Sequence, residues 1–277
     1  MSISRDVLNF AFIGCGEMGS AILRGWLGSN NGPLANATAL NFHIVEHSEH
    51  RRLFLASDLG VNCYSNASEL PLVDVLVIAV RPNDVADILK DVSANPNLSN
   101  ALVISIAAGI KTSTIAENLG SGNTVIRVMP NLPLEIGRGV CTACSTDGCK
   151  SDELAFVCSL FSLIGKCFEV KEEQMDLCTA ISGCGPAYVA ELINHLSRAG
   201  HDLGLDKSLS YQLALNTVIG TSCLLEQTNV DACDLSKQVA VEGGVTRAAL
   251  DAMDESGMYF AYRSGVEAAV KKSKELS

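Results

Sequence analysis

Three glycines spaced Gly14-x-Gly16-x-x-Gly19, an acid at Glu46, and a Gly243-Gly244 pair followed by Val245 and Thr246 are the residues of this 277-residue chain best suited to chemistry. The triplet closes an apolar run, Leu8–Ile13, and opens a helical one, which is the setting of a dinucleotide site. Gly14 permits the tight turn, Gly16 lets the backbone approach a pyrophosphate, and Gly19 lets helix and strand pack closely. The helix N-terminus then offers free N–H groups to the phosphate charge. Glu46 ends the second strand-like run, where an acid can hydrogen-bond the adenosine ribose, and this points to NADH. Arg51 and Arg52 suit the 2′-phosphate of NADPH, but they fall inside the next helix, where arginines are more often solvated. The coenzyme reading is therefore NADPH or NADH, leaning to NADH. The diglycine pair lies far downstream in a helical tail, and a helix starts just after it. Two glycines there let main-chain N–H groups converge into an anion-binding concavity.

The elements that must position these residues alternate in the first half. Leu8–Ile13, Phe42–Val45, Val75–Val80, Leu102–Ile106 and Thr124–Val128 read as short strands rich in Val and Ile. Met18–Leu27, Glu49–Asp58, Val85–Asp91 and Thr112–Asn118 read as helices between them. This rhythm predicts an α/β fold with a parallel sheet covered on both faces. Val140–Cys144 and Cys167–Val170 add two strands around a helix at Asp152–Leu163. From Glu172 the strand signals nearly stop, and Glu173–Ala199, Ser208–Gln227, Asp231–Ala240, Thr246–Met253 and Gly257–Glu275 read as helices. The expected division is a Rossmann-type dinucleotide-binding domain at 1–170 and an all-α dimerisation and substrate domain at 171–277. The stretch LALNTVIGTSCLL (213–225) is apolar around most of its circumference and must be buried on several sides. A small helical domain hides it only partly, so a homodimer is expected.

Composition limits the classes. Residues are 48% hydrophobic and 18% charged, which suits a soluble globular chain, and the net charge of −11 argues against a nucleic-acid partner. No apolar run approaches the roughly 20 residues of a membrane span. The N-terminus lacks a long apolar h-region, so no signal peptide is expected. Eleven cysteines, an odd number, suggest reduced thiols in a cytoplasm rather than a disulfide framework. Cys141, Cys144 and Cys149 lack the paired spacing and fourth ligand of a structural zinc site, so no metal is expected.

Four further stretches carry a resemblance: AVRPND (79–84), ISIAAGI (104–110), RVMPNLP (127–133) and SGCGPAYVAELI (182–193). With the glycine loop and EGGVT they are similar, in order, to the pyrroline-5-carboxylate reductases. The resemblance implies NAD(P)H-dependent reduction of L-1-pyrroline-5-carboxylate to L-proline, a Rossmann domain, a helical dimerisation domain, and often rings of dimers. It implies coenzyme contacts at Ile13, Gly14, Cys15, Gly16, Glu17 and Met18, at Glu46 and Ser48, and at Asn66. Further contacts are implied at Ala79, Val80, Arg81 and Pro82, at Ala107 and Ala108, and at Gln238. Substrate contacts map to Glu172, Gly243, Gly244, Val245 and Thr246, with Thr246 in the catalytic position. Each has a plainer role too: Arg81 as a solvated loop cation, Asn66 as a turn or cap residue, Glu172 as a surface acid in KEEQ, and Thr246 as a helix N-cap.

A protonated cyclic imine already accepts hydride well, so positioning matters more than nucleophiles or metals. Three departures stand out. The family's Ser-Pro before the two glycines is Val241-Glu242, the second serine of its Ser-Gly-Ser-Gly-Pro motif is Cys184, and the arginine common after the second strand is His47. They keep open a divergent paralogue reducing another cyclic imine, or a catalytically silent nucleotide-binding regulatory protein. A β-hydroxyacid dehydrogenase is disfavoured, because no lysine lies between Lys171 and Lys207.

Overall fold

The structure, a computed structural model, describes residues 7–29, 32–35, 39–120 and 123–275. The chain divides into two compact units. One comprises Met1–Cys184 together with Ala269–Ser277, and the other Gly185–Ala268. The packing boundary therefore falls later than the change of sequence pattern near residue 170, and the end of the chain belongs with the first unit. The reason is local: the segment after Lys171 is helical by pattern but bonds to the sheet, as described below.

The first unit is built on an eight-stranded sheet ordered β3-β2-β1-β4-β5-β6-β7-β8. Its strands are β1 (Val7–Ile13), β2 (Ala39–Val45), β3 (Asn62–Tyr64), β4 (Val75–Ile78), β5 (Leu102–Ser105), β6 (Val125–Met129), β7 (Gly139–Ser145) and β8 (Gly165–Glu169). Helices α1 (Glu17–Leu27), α2 (Glu49–Leu59), α3 (Val85–Ala94), α4 (Thr112–Leu119) and α5 (Ser151–Ser162) connect them. β4 and β5 are fully buried VLVI and LVIS runs, as strands covered on both faces must be. Trp26 of α1 fills one face, packed edge-on against Phe12 and Phe161, with its Nε1–H donating to the Leu160 carbonyl at 3.1 Å.

Two features depart from the sequence reading. β3 is a three-residue strand that no periodicity marks. β7 runs antiparallel to β6, with Arg127 opposite Cys144, while β8 is parallel to β7. Only a short 3₁₀ turn, Leu132–Ile136, lies between β6 and β7, and a parallel return needs a longer crossover.

The expected long helix at Glu173–Ala199 is broken. A 3₁₀ turn at Glu172–Gln174 leads to α6 (Met175–Cys178), a π-turn at Thr179–Gly183, and then α7 (Gly185–Asp202). The second unit continues with α8 (Lys207–Thr228), α9 (Ala232–Val239), α10 (Val245–Glu255) and α11 (Met258–Glu275), whose last turns belong to the first unit. Within a single chain α8 buries only Ser210 and Ala214, while Leu213, Ile219 and Leu224 stay exposed. Among the described residues no helix is long and apolar enough to cross a membrane.

Candidate active site

Strand order reverses beside β1, which has β2 on one side and β4 on the other, and open α/β sheets bind ligands at such switch points. The glycine loop lies there. Gly14 adopts φ +81°, and a Cβ on it would lie 2.8 Å from the Ala79 carbonyl oxygen and 2.8 Å from Val80 Cγ1. Its N–H donates to the Val45 carbonyl at 3.0 Å, and the Ala79 N–H donates to the Ile13 carbonyl at 2.8 Å. The loop is thus stitched between β2 and the Ala79–Pro82 turn. A Cβ on Gly19 would approach Ala79 Cβ at 3.1 Å, so this glycine permits close helix packing. Gly16 is different. A Cβ there would meet no atom of the described residues within 4 Å, so their packing does not demand glycine. Gly16 is the N-cap of α1 and no side chain caps that helix. Open space before uncapped N–H groups fits a pyrophosphate. Glu17 is exposed, Met18 half-buried and Cys15 buried. Burial pushes the Cys15 thiol up to about 11, against the pull of Arg51, so it stays protonated.

The ribose end is tied to this loop. The Glu46 carboxylate accepts from the Ser48 N–H at 3.0 Å and lies 3.7 Å from Arg51 Nε. Ser48 caps α2 by accepting from the Arg51 N–H. Arg51 Nε donates to the Cys15 carbonyl at 3.1 Å, and Arg52 Nη1 donates to the carbonyls of Glu46 and His47 at 2.7 and 2.8 Å. These arginines brace the backbone while their side chains stay partly exposed.

Asn66 accepts from the Ser68 N–H at 3.0 Å, so it caps a 3₁₀ turn. Arg81 is exposed just after β4, and Pro82 starts the 3₁₀ turn that turns the chain into α3. After β5 the Ile106 N–H donates to the Ile78 carbonyl at 3.0 Å and the Ala107 N–H to Ser105 Oγ at 3.3 Å. Ala107 is buried and Ala108 half-buried.

Glu172 is not a free surface acid. Its Oε1 accepts from Arg127 Nη1 at 2.7 Å, and its Oε2 from Thr112 Oγ1 at 2.7 Å, the Thr112 N–H at 3.3 Å and Cys144 Sγ at 3.4 Å. Arg127 lies in the apolar strand VIRVM with its side chain 3% exposed. Burial alone raises the Glu172 carboxyl, but the Thr112 and Arg127 hydrogen bonds and the Arg127 charge outweigh it, and the net direction is downward. Burial and the neighbouring Glu172 charge push the Cys144 thiol up to about 12. The sequence signal for this cluster was a single charge inside a strand, which burial obliges to find a partner.

The motif asparagine Asn131 has a similar explanation. Pro186 has no N–H to bond the Ser182 carbonyl four residues earlier. Asn131 Nδ2 donates to that carbonyl instead, at 2.9 Å, while its Oδ1 accepts from the Val140 N–H at 2.8 Å. Sequence reasoning marked both stretches by resemblance and assigned neither residue this bond.

In the second unit Gly243 has φ +74° and Gly244 is the N-cap of α10, with no side-chain cap. Thr246 is therefore the second residue of the helix, not its cap, and its hydroxyl has no hydrogen-bond partner among the described residues. Val245 is 90% exposed and Gln238, in α9, is exposed. Val241 and Glu242, where the family has Ser-Pro, are both exposed.

Known proteins give the context. The family model described as pyrroline-5-carboxylate reductase dimerisation matches residues 172–276, and one described as NADP oxidoreductase, coenzyme F420-dependent, matches residues 9–109. A pyrroline-5-carboxylate reductase of Corynebacterium melassecola is 30% identical over 269 residues, covering 96% of this chain and 97% of the relative. One from a Synechocystis species is 32% identical over 272 residues, covering 97% and 98%. The crystal structure of a Plasmodium falciparum pyrroline carboxylate reductase with NADP bound superposes with a TM-score of 0.81 at 32% identity, covering 97% of this chain and 98% of that one. The glycine loop at the switch point, the Arg127 and Asn131 bonds made by RVMPN, and the diglycine helix start thus occur in a chain that is similar to these proteins from end to end, and the chain belongs to the pyrroline-5-carboxylate reductase family.

Proposed function

We propose that this protein reduces L-1-pyrroline-5-carboxylate to L-proline with NAD(P)H. The observation that carries the reading is the glycine loop. Gly16 faces open space at the uncapped head of α1, a cradle that packing does not require and a pyrophosphate does. When bound, the dihydronicotinamide supplies the hydride. The N–H groups at the head of α1 hold the pyrophosphate, with Gly14 and Gly19 fixing the loop that presents them. Glu46, oriented by the Ser48 N–H, takes the ribose hydroxyls, which favours NADH over NADPH. Asn66, the Ala79–Pro82 turn, Ala107, Ala108 and Gln238 complete the coenzyme contacts.

The substrate's carboxylate is assigned to the main-chain N–H groups at Gly243, Gly244 and Val245. Thr246 donates its free hydroxyl to that carboxylate or to the ring nitrogen. The protonated ring nitrogen withdraws charge from its double-bonded carbon, which accepts the hydride and leaves an amine. No nucleophilic side chain is needed, and the reaction asks the protein only to hold hydride donor and acceptor about 3–3.5 Å apart.

Homodimerisation through the helical unit follows from α8, whose apolar residues find little cover within one chain, and rings of such dimers are the larger assembly we propose. Eleven free cysteines support a reducing compartment, the cytoplasm. The test is incubation with pyrroline-5-carboxylate and NADH or NADPH, followed at 340 nm. Coenzyme oxidation with proline formed stoichiometrically is expected, and its absence with both coenzymes overturns the reading. Exposed Glu242 beside the carboxylate position favours one alternative, reduction of a different cyclic imine, which a larger kcat/KM for a six-membered imine carboxylate would establish.

A further inference from the structure

The Cys15 carbonyl lies between two elements, and neither provides it with a partner. β1 ends at Ile13, and the first carbonyl taken up by α1 is that of Gly16, which accepts from the Ser20 N–H at 2.9 Å. Arg51 of α2, 36 residues along the chain, fills the gap. Its Nε donates to the Cys15 carbonyl at 3.1 Å, and its Nη2 donates to the same oxygen. The arginine is itself held in place. Ser48 Oγ accepts from its main-chain N–H, and its Nε lies 3.7 Å from Glu46 Oε2. A trans peptide points its C=O and its N–H in opposite directions. No described peptide is cis, so a Cys15 carbonyl fixed towards Arg51 fixes the Gly16 N–H away from it. That N–H has no hydrogen-bond partner among the described residues, and Gly16 borders the open space before α1.

We propose that Arg51 is a positioning residue for the coenzyme: by gripping the Cys15 carbonyl it turns the Gly16 N–H towards the pyrophosphate. Its contact with Glu46 keeps the carboxylate assigned to the ribose in register with the same loop. The proposal rests on the reading of the glycine loop as a dinucleotide site. Because the guanidinium acts through the loop backbone, NADH and NADPH depend on it alike. Arg51→Met keeps the stem of the side chain and removes its donors. Arg51→Lys keeps the charge and loses the planar fork that holds one oxygen with two N–H groups.

The experiment is fluorescence titration of the full-length protein with NADH and with NADPH, alongside thermal unfolding without coenzyme. Arg51→Met is expected to weaken binding of both coenzymes by about tenfold, as the loss of a charge-assisted hydrogen bond suggests. Arg51→Lys should bind both with an intermediate affinity. In Arg51→Ala, millimolar guanidinium chloride should restore part of the lost affinity, and sodium chloride at the same concentration should not. A loop that is merely destabilised gains nothing from guanidinium, which favours unfolding, so this rescue separates positioning from a general structural role. Wild-type affinity for both coenzymes in Arg51→Met overturns the proposal. A loss confined to NADPH also overturns it, because that identifies a contact with the 2′-phosphate. A wild-type protein that binds neither coenzyme overturns the dinucleotide reading of the loop, and the proposal with it.

Discussion

A Cβ on Gly14 would stand 2.8 Å from the carbonyl oxygen of Ala79, so the glycine loop and the turn after β4 are packed into one surface. Gly14 also lies at φ +81°, which a side chain strains. Gly14→Ala is therefore expected to cost about 2–4 kcal/mol of stability. Gly16→Ala meets no protein atom and should leave stability within about 0.5 kcal/mol. It should nevertheless weaken coenzyme binding by tenfold or more, roughly, because the added methyl occupies the phosphate approach. Chemical denaturation paired with coenzyme titration separates the two effects. Equal losses of stability would remove the distinction between a packing glycine and a ligand glycine.

The Thr246 hydroxyl, at the second position of α10, has no hydrogen-bond partner among the described residues, and Gly244 already serves as N-cap. Thr246→Ala should consequently leave the thermal midpoint unchanged and lower kcat/KM for the imine by about one to two orders of magnitude. Unaltered kinetics would leave the hydroxyl without a part in the reaction.

Glu46 sits among the Ser48 N–H, Arg51 and the glycine loop. Replacing it with alanine should weaken NADH binding by about tenfold and NADPH binding less, since a 2′-phosphate gains nothing from a carboxylate. The measured quantity is the ratio of the two dissociation constants. If that ratio does not move, Glu46 does not read the ribose.

The exposed apolar face of α8 predicts an obligate partner. Ile219, half exposed in the single chain, should lie within the dimer interface, and Ile219→Asp should shift the protein to monomer in sedimentation velocity at micromolar concentration. A wild-type monomer, or a variant that stays dimeric, contradicts this assignment.

The Arg127–Glu172 pair has a pH signature. The Glu172 carboxyl is depressed in the folded state, because the hydrogen bonds and charge outweigh burial. The folded state therefore holds the Glu172 proton less tightly than the unfolded chain, and its contribution is fully present above the ordinary carboxylate range. That contribution is lost as pH falls through the lowered value. Urea unfolding at neutral pH and near about pH 3 should show a smaller acid loss in Glu172→Gln than in wild type. Equal losses would mean that the pair does not contribute to acid stability.

Much of this molecule is legible in local pattern. The alternation of apolar runs and helices, the Gly14-x-Gly16-x-x-Gly19 loop and the apolar α8 are each encoded within a few turns or one strand, because burial and backbone freedom act residue by residue. The motif RVMPN was visible, but its use was not. Arg127 needed a counterion from residue 172, and Asn131 needed the carbonyl that Pro186 leaves unpaired. The reversal of β7 and the early break before α7 have the same origin.

The sequence alone therefore determined the α/β class, the position of the glycine loop and the helical, partner-seeking tail. Tertiary structure alone decided that Glu172 caps α4, that Arg51 braces Cys15, and that Gly244 and not Thr246 is the N-cap of α10. Periodicity and glycine spacing are local properties of the chain, whereas a hydrogen bond between distant segments exists only once packing brings donor and acceptor within about 3 Å.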